Sequence, residues 1–561
     1  MKIIKLLFAL TVLFPAFTFS QNFLKNSEVH GSFQFDGQYY IADSAIGTPK
    51  VPEKTGINAY GNIIYTNNNF SAGIRFETFL PALQGFDRRM NGSGIPYRYA
   101  SYKIKNLDIT LGNFYEQFGN GLIFRSYEDW NLGYDNSLDG LKVKYSIGNG
   151  IFLKGIIGKQ RKYWEKSPGI VRGFDAEFCI NDIFGKLAER KTKVIVGGSF
   201  VSKFQSDDPT FKYKLPENVA AFAGRLNVSR GWFGLNGEYA YKINDPAKYN
   251  KYANNTGCNY IYRPGQALYI NTSYSMKGFS VQLAAKRIDN MAFKSDRYVS
   301  DNGLDINFLP PLTRQHTYNL SAMYPYATQP NGEIGFEGQV IYRIKKGSRL
   351  GGKYGTDITI NFSQINDIKR NQVNDSTLIG AEGTFGYNSP FFAIGKERFF
   401  SDLNIEISRK FTRNFKMILS YVYISYNHEV IGGEQTKDGK KTVNAHIGIA
   451  DMTYKINDVY ALRLELQALT SFQDEGSWVM ALLEYTIAPK WFFSVGDQYN
   501  YKTETYEKSL HYYIANIGYI HDATRISITY GRQRSGVVCT GGVCRAVPAS
   551  NGISLSITSS F

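Results

Sequence analysis

Beyond its first twenty residues, the sequence contains no apolar run near the ~18 residues that a membrane-spanning helix needs. Helical periodicity is nearly absent as well, and 181–191 ("NDIFGKLAERK") is the best candidate for a short helix. The six histidines (His30, His316, His428, His446, His511 and His521) are scattered, with no His-Glu-x-x-His spacing and no nucleophile elbow. "GSRLGGKY" (347–354) is nearly a phosphate-binding loop, but Tyr354 stands where Ser or Thr would hold Mg²⁺, and the stretch is expected in an outer hairpin rather than before a helix. Asp135, Asn136 and Asp139 offer oxygen ligands, yet their spacing is not that of a Ca²⁺-binding EF-hand loop. No enzyme, metal or cofactor is therefore expected. Of the four cysteines, Cys539 and Cys544 lie close in "VVCTGGVCRAVPAS", where the Gly pair lets the chain turn back. Without two further ligands at zinc-type spacing, they read as a disulfide formed in an oxidising compartment. Cys179 and Cys258 are expected on opposite sides of a membrane and should not pair.

The start of the chain, "MKIIKLLFALTVLFPAFTFS", has a secretory layout: Lys2 and Lys5, an apolar run broken by Pro15, and small residues before Gln21. Residues 1–20 are expected to be a cleaved signal peptide. Their removal leaves 62 basic against 48 acidic residues and takes the net charge from +16 to +14. Such a charge can point to nucleic acid, but export argues against that partner. Lipopolysaccharide, phosphate-rich lipid headgroups or an acidic partner are the expected counterparts.

What the sequence has in abundance is Tyr (41), Phe (39) and Gly (54), at a mean hydropathy of only −0.30. The apolar residues are hidden in alternation, the period of a strand with one face polar. In "DGLKVKYSI" (139–147), Leu141, Val143, Tyr145 and Ile147 oppose Lys142, Lys144 and Ser146. In 457–469, Tyr460, Leu462, Leu464 and Leu466 oppose Ala461, Arg463, Glu465 and Gln467. In 523–533, Ile526, Ile528 and Tyr530 oppose Arg525, Ser527 and Thr529. Tight turns such as 66–70, 104–108, 229–232, 276–279, 488–491 and 521–524 take turns with longer polar loops at 42–56, 244–264, 290–313 and 427–440. Short turns on one side and long loops on the other are the layout of an outer-membrane barrel.

The expected fold is thus all-β: one transmembrane antiparallel up-and-down barrel over 21–561, with a polar lumen, short periplasmic turns and long extracellular loops. The strand count is about 24–26, closing at 26 if 376–386 ("STLIGAEGTFG") is a strand. The last residues, "NGISLSITSSF", alternate to the end, so the terminal strand should pair with the first, near "VHGSFQFDGQYYI". Its final Phe561 resembles the C-terminal signal by which outer-membrane proteins are recognised for insertion.

In such a barrel Lys142, Lys144, Lys286, Arg463, Glu465 and Arg525 would face the lumen. The stretch 113–140 ("NFYEQFGNGLIFRSYEDWNLGYDNSLDG") is rich in aromatics and Gly and carries Glu116, Arg125, Glu128, Asp129, Asp135 and Asp139. It is the candidate inward-folded loop or constriction. No N-terminal plug and no periplasmic domain are visible, which disfavours a TonB-type transporter and the lipopolysaccharide-export barrel.

Two segments, "GNFYEQFGNGLIFRSYEDWNLGYDNSLDG" and "CTGGVCRAVPASNGISLSITSSF", resemble an uncharacterised family of Bacteroidota outer-membrane proteins known as a domain of unknown function. The resemblance implies the outer membrane of a Gram-negative bacterium and the barrel fold, and it brings no activity or site residues. "DSA" (43–45) and "DST" (375–377) also resemble that phylum's short O-glycosylation acceptor, with only the first expected in an outer loop. Two functions fit: a structural or accessory subunit of a larger outer-membrane complex, which is favoured, or a porin-like channel for hydrophilic, anionic solutes. Expected partners are outer-membrane lipid and lipopolysaccharide, the outer-membrane insertion machinery and other outer-membrane subunits, with no nucleic acid.

Overall fold

The computed structural model describes residues 26–561 apart from 244, 247–259, 300–301, 434, 437–438, 503–508 and 541–542. The signal segment 1–20 and Cys258 lie outside the described residues. Twenty-four antiparallel strands form one sheet in which sequence neighbours pair, from Ser27–Tyr40 round to Ser550–Ser560. The sheet closes because the last strand pairs with the first, in a register running from Ser32↔Ser560 to Tyr40↔Gly552. Phe561 extends the ladder by exchanging two backbone hydrogen bonds with Gly31, at 2.9 and 3.0 Å. The Phe561 ring lies where a Cβ at position 31 would stand, so any larger residue there would displace that ring.

The count is 24, and 376–386 is not among the strands. Gly380, Gly383 and Gly386 hold φ of 77°, 75° and 85°, and a chain turning left-handedly at every third residue cannot keep an extended ladder. The segment belongs instead to the connection 369–393, on the long-loop side. The same parity moves 347–354: it joins Gly332–Ile344 to Thr356–Ile368 on the tight-turn side, not in an outer hairpin. It also places both 43–45 and 375–377 on the long-loop side. The expected short helix is one turn, Ile180–Ile183, followed by a 3₁₀ turn.

The alternation is inverted relative to a soluble sandwich, with large apolar residues outside and polar or small apolar residues within. On Tyr460–Thr470, Leu464 and Leu466 are exposed while Glu465 and Gln467 are buried. On Asn218–Arg230, Phe222 and Leu226 are exposed while Ala221, Ala223 and Arg225 are buried. Trp232, Tyr274, Trp491 and Tyr519 gather at the tight-turn end of the outer face, in pairs 6.4 and 4.6 Å apart. Such a ring of aromatics is what a membrane interface selects. Leu226→Arg should therefore destabilise folding into phospholipid vesicles by up to about 2–4 kcal/mol, read from denaturant titration. A change near zero would show that this face does not meet lipid.

Candidate functional site

The lumen is filled by two connections that fold back inside. The first spans 115–137. Phe118, Leu122, Ile123 and Phe124 have no exposed surface and pack against wall residues Ile156, Val171, Val201 and Val219. Burial of this kind stabilises by roughly 2 kcal/mol per side chain. The tip is a glycine turn: Gly119 has φ 53°, and a Cβ there would stand 2.3 Å from Glu238 Oε2. Glu238, on the wall strand Phe233–Lys242, accepts the Asn120 N–H at 2.6 Å and its side-chain amide at 2.9 Å.

The second connection, 290–331, was expected as a polar outer loop over 290–313 and is instead the larger part of the filling. Met291, Phe293, Ile306 and Leu309 join the cluster around Phe118. Leu312, Leu320, Met323, Tyr324 and Tyr326 join a second cluster, built on Val422, Ile424, Val443, Ile447 and Leu469 across the barrel. The two connections are stitched together. Arg125 N–H donates to the Ile306 carbonyl at 2.9 Å, Phe308 N–H to Gly121 at 2.9 Å, and the Asn307 amide to Leu122 at 3.2 Å. Asn136 and Gln160 both donate to the Asp305 carbonyl, at 3.0 and 2.9 Å. Further along, Arg314 pairs with Glu406 at 2.7 Å, His316 with Asp402, and Tyr318 donates to Asp451 at 3.1 Å.

Charge fixes the first connection to the wall. Arg75 and Arg161 stand on the strands Phe70–Phe79 and Ile151–Lys162. Arg75 bonds Glu77 at 2.7 Å and also Glu128 and Asp135, while Arg161 bonds Glu77 and Asp135 at 2.6 Å each. Tyr115 adds its hydroxyl to Glu128 and Asp135, at 2.8 and 3.0 Å. Arg75 also lies 4.7 Å over the Tyr97 ring. Two buried guanidinium groups thus meet three carboxylates. Burial alone would raise the Asp135 pKa, but Arg161 and Arg75 outweigh it and hold the carboxyl below its ordinary range.

Of the residues singled out in the sequence, Glu116 gathers Lys144 at 2.6 Å, Lys154 at 3.1 Å and Lys142 at 3.9 Å. Burial pushes its carboxyl up, and the Lys144 and Lys154 ammonium groups bring it below the usual value. Arg125 lies over the rings of Tyr127 and Phe308, at 4.4 and 4.1 Å. Asp129 caps the turn at Asn131 and Leu132. Arg463 joins Asp451, Glu465 and Glu484 on the inner wall, and Arg525 lies 4.5 Å over the Phe492 ring near the tight-turn end. These lumen cations are mostly spent on carboxylates, so they do not form a free basic lining. Asp139 is not with them. It shares the outward face with Leu141 and Tyr145 and pairs there with Lys166 at 2.6 Å and Arg98 at 3.2 Å.

Cys539 and Cys544 form a disulfide that closes the hairpin Gly536–Thr540/Val543–Val547. Arg545, beside it, stacks 4.0 Å over Phe86 and donates to the Asn131 carbonyl at 3.1 Å, which docks the hairpin on the first connection. Among the described residues, no three His, Cys, Asp or Glu side chains gather as metal ligands.

Sequence reasoning missed the 290–331 filling and the wall residues Arg75, Glu77 and Arg161. The available signal was weak: a long connection from Met291 to Tyr326 that is as apolar as the rest of the chain, too apolar for a solvated loop, and without strand alternation.

The family model for a family of unknown function, DUF6029, matches residues 1–561. No curated protein matches the chain. Among solved structures, the P pilus usher (PapC) translocation pore aligns with a TM-score of 0.44 at 9% identity, over 95% of this chain and 99% of that one. A chain of the E. coli P pilus tip assembly intermediate PapC-PapD-PapK-PapG aligns with a TM-score of 0.47 at 9% identity, over 95% of this chain but only 60% of that one. The siderophore receptor PirA from Pseudomonas aeruginosa aligns with a TM-score of 0.39 at 8% identity, over 95% of this chain and 80% of that one.

Arg75→Ala would leave Glu77, Glu128 and Asp135 without half of their countercharge, at a cost of about 3–5 kcal/mol for a broken buried network. The expected readout is faster proteolysis and hydrogen exchange within 115–137, with the wall strands unchanged. Because folding lowers the Asp135 pKa, its contribution is complete above the ordinary carboxyl value of about 3.9 and is lost only as pH falls below it. Protection factors within 115–137, taken against the intrinsic exchange rate at each pH, should accordingly match at pH 7 and pH 5 and fall near pH 3.

Proposed function

For this chain, which belongs to the DUF6029 family of unknown function, we propose a closed outer-membrane barrel acting as a non-enzymatic structural or accessory subunit of a larger outer-membrane complex. One observation carries this reading: the connection 290–331 contributes to both buried apolar clusters and so crosses the lumen. A conducting path for large hydrophilic solutes would have to break apolar packing on both sides, along with the hydrogen bonds from 121–125 to 305–308. The apolar outer face, the aromatic ring at the tight-turn end and the secretory start of the sequence support the outer membrane as its place. In that orientation the tight turns are periplasmic. The described parts of the long connections, with the disulfide-closed hairpin, then face outward, where a partner could meet them.

The test is affinity capture of a tagged copy from native outer membranes in mild detergent. Stoichiometric outer-membrane partners are expected, and a barrel that always elutes alone would sink the subunit reading. In planar bilayers the purified protein should show no steady wide-pore conductance. Replacing 303–325 by a short Gly-Ser linker should produce it. Steady wide-pore conductance from the unaltered chain would overturn the closed state.

A further inference from the structure

A cavity of about 430 Å³ lies inside the barrel along the inner wall of the last strands. That is within the size of small-molecule sites, ~300–1,000 Å³. It runs from Gln533 and Ser550 near the long-loop ends of their strands to Ser494 toward the other end, and Val537 and Val538 of the disulfide-closed hairpin face it. Three charged residues border it, of which Arg532 and Asp497 lie on the outward parity of their strands, with Tyr530 and Val495, and are engaged there. Arg532 is held by both oxygens of Asp43, at 2.6 and 3.1 Å, and Asp497 is bonded to His511 at 2.6 Å. The third, Arg534, has a single hydrogen bond among the described residues, from Nη1 to the carbonyl of its neighbour Ser535 at 3.3 Å. Glu475 acts on Arg534 through space but makes no ion pair with it among the described residues. A Cβ at position 536 would come within 2.9 Å of Arg534 Nη1, so Gly536 leaves room for the guanidinium.

A guanidinium carries five N–H donors in a planar fork that matches a carboxylate or phosphate. Half-buried and with most of its donors uncommitted, Arg534 can take up an anion without breaking an internal ion pair. The rest of the wall is amide and hydroxyl. Gln38, Thr529 and Ser550 line it, and Gln498 contributes a buried carbonyl oxygen with no partner. That oxygen needs a donor, which chloride or sulfate lacks and a hydroxyl-bearing solute supplies.

We propose that this cavity binds a small hydroxyl-bearing anion, with Arg534 holding its carboxylate or phosphate and Gln498 receiving one of its hydroxyls. The proposal is independent of whether the barrel belongs to a larger complex. Titration calorimetry on the purified full chain in detergent tests it, with glucuronate, glucose 6-phosphate and glucose as probes. At least one of the two anions should bind, at least tenfold more tightly than glucose, and which one does distinguishes carboxylate from phosphate recognition. Arg534→Gln should abolish that preference, whereas Arg534→Lys, which keeps the charge but not the fork, should retain part of it. If the glutamine variant does not fold, the unaltered chain still decides. Raising ionic strength from about 0.05 to about 0.5 M should weaken anion binding and leave any glucose binding unchanged. Absence of binding by both anions, equal binding of glucose, or a folded Arg534→Gln barrel with unaltered affinity would each overturn the proposal.

Discussion

A β-strand in lipid has no water to satisfy its edge, so the backbone pairing of Ser27–Tyr40 with Ser550–Ser560 is the contact on which the rest of this molecule depends. Without it the sheet has two open edges, and each unpaired N–H or C=O in hydrocarbon costs several kcal/mol. The pairing also fixes what each face must be. Once the sheet is closed, residues on one parity meet lipid and those on the other meet the lumen, with no third environment available. The same rule puts Leu464 and Leu466 outside and Glu465 and Gln467 inside.

Closure at this strand number creates the second constraint. The diameter of a barrel grows with strand number, and large barrels leave a lumen that side chains of the wall alone do not fill. Here the chain itself fills it. Around Phe118 the inner wall carries Val171, Val201, Val219, Ala221 and Ala240, whereas an inner wall facing water would be polar. Small and branched apolar residues on the lumen parity are the wall's half of a packed core. The other half comes from 115–137 and 290–331.

This second constraint explains what could be read in the sequence and what could not. The period of two marks a strand whatever it faces, so strands, turn sides and closure were legible from residues such as those of 139–147 and 551–561. The disulfide was legible because Cys539 and Cys544 are close in the chain. Long-range contacts leave no such local mark. Arg75 and Arg161 look like any other inward cation, and only the return of Glu128 and Asp135 from the loop makes them a network. The 115–137 connection stood out by composition, since Gly119, Phe118 and Phe124 sit in one short aromatic run. In 290–331 the apolar residues are spread between polar ones and prolines, and their common destination appears only in three dimensions. Segment 376–386 misled in the other direction. Its residues suit a strand, but its three glycines adopt φ values that bend the chain back.

The charges inside the barrel show how a basic chain can have a lumen that is not a basic pore. Lys142, Lys144 and Lys154 converge on Glu116; Arg75 and Arg161 meet Glu77, Glu128 and Asp135; Arg463 meets Asp451, Glu465 and Glu484. Each group places carboxylates among the cations, and several of the carboxylates come from a folded-back connection rather than the wall. A buried ion pair contributes little to net stability, since desolvation offsets most of its attraction, but it penalises every arrangement in which one partner is missing. In this barrel that penalty acts on position. Apolar packing alone would tolerate the connections sliding against a smooth wall of Val and Ala, whereas Asp135 can satisfy Arg75 and Arg161 in one place only. The apolar clusters therefore supply the drive to fill the lumen, and the ion networks determine how it is filled.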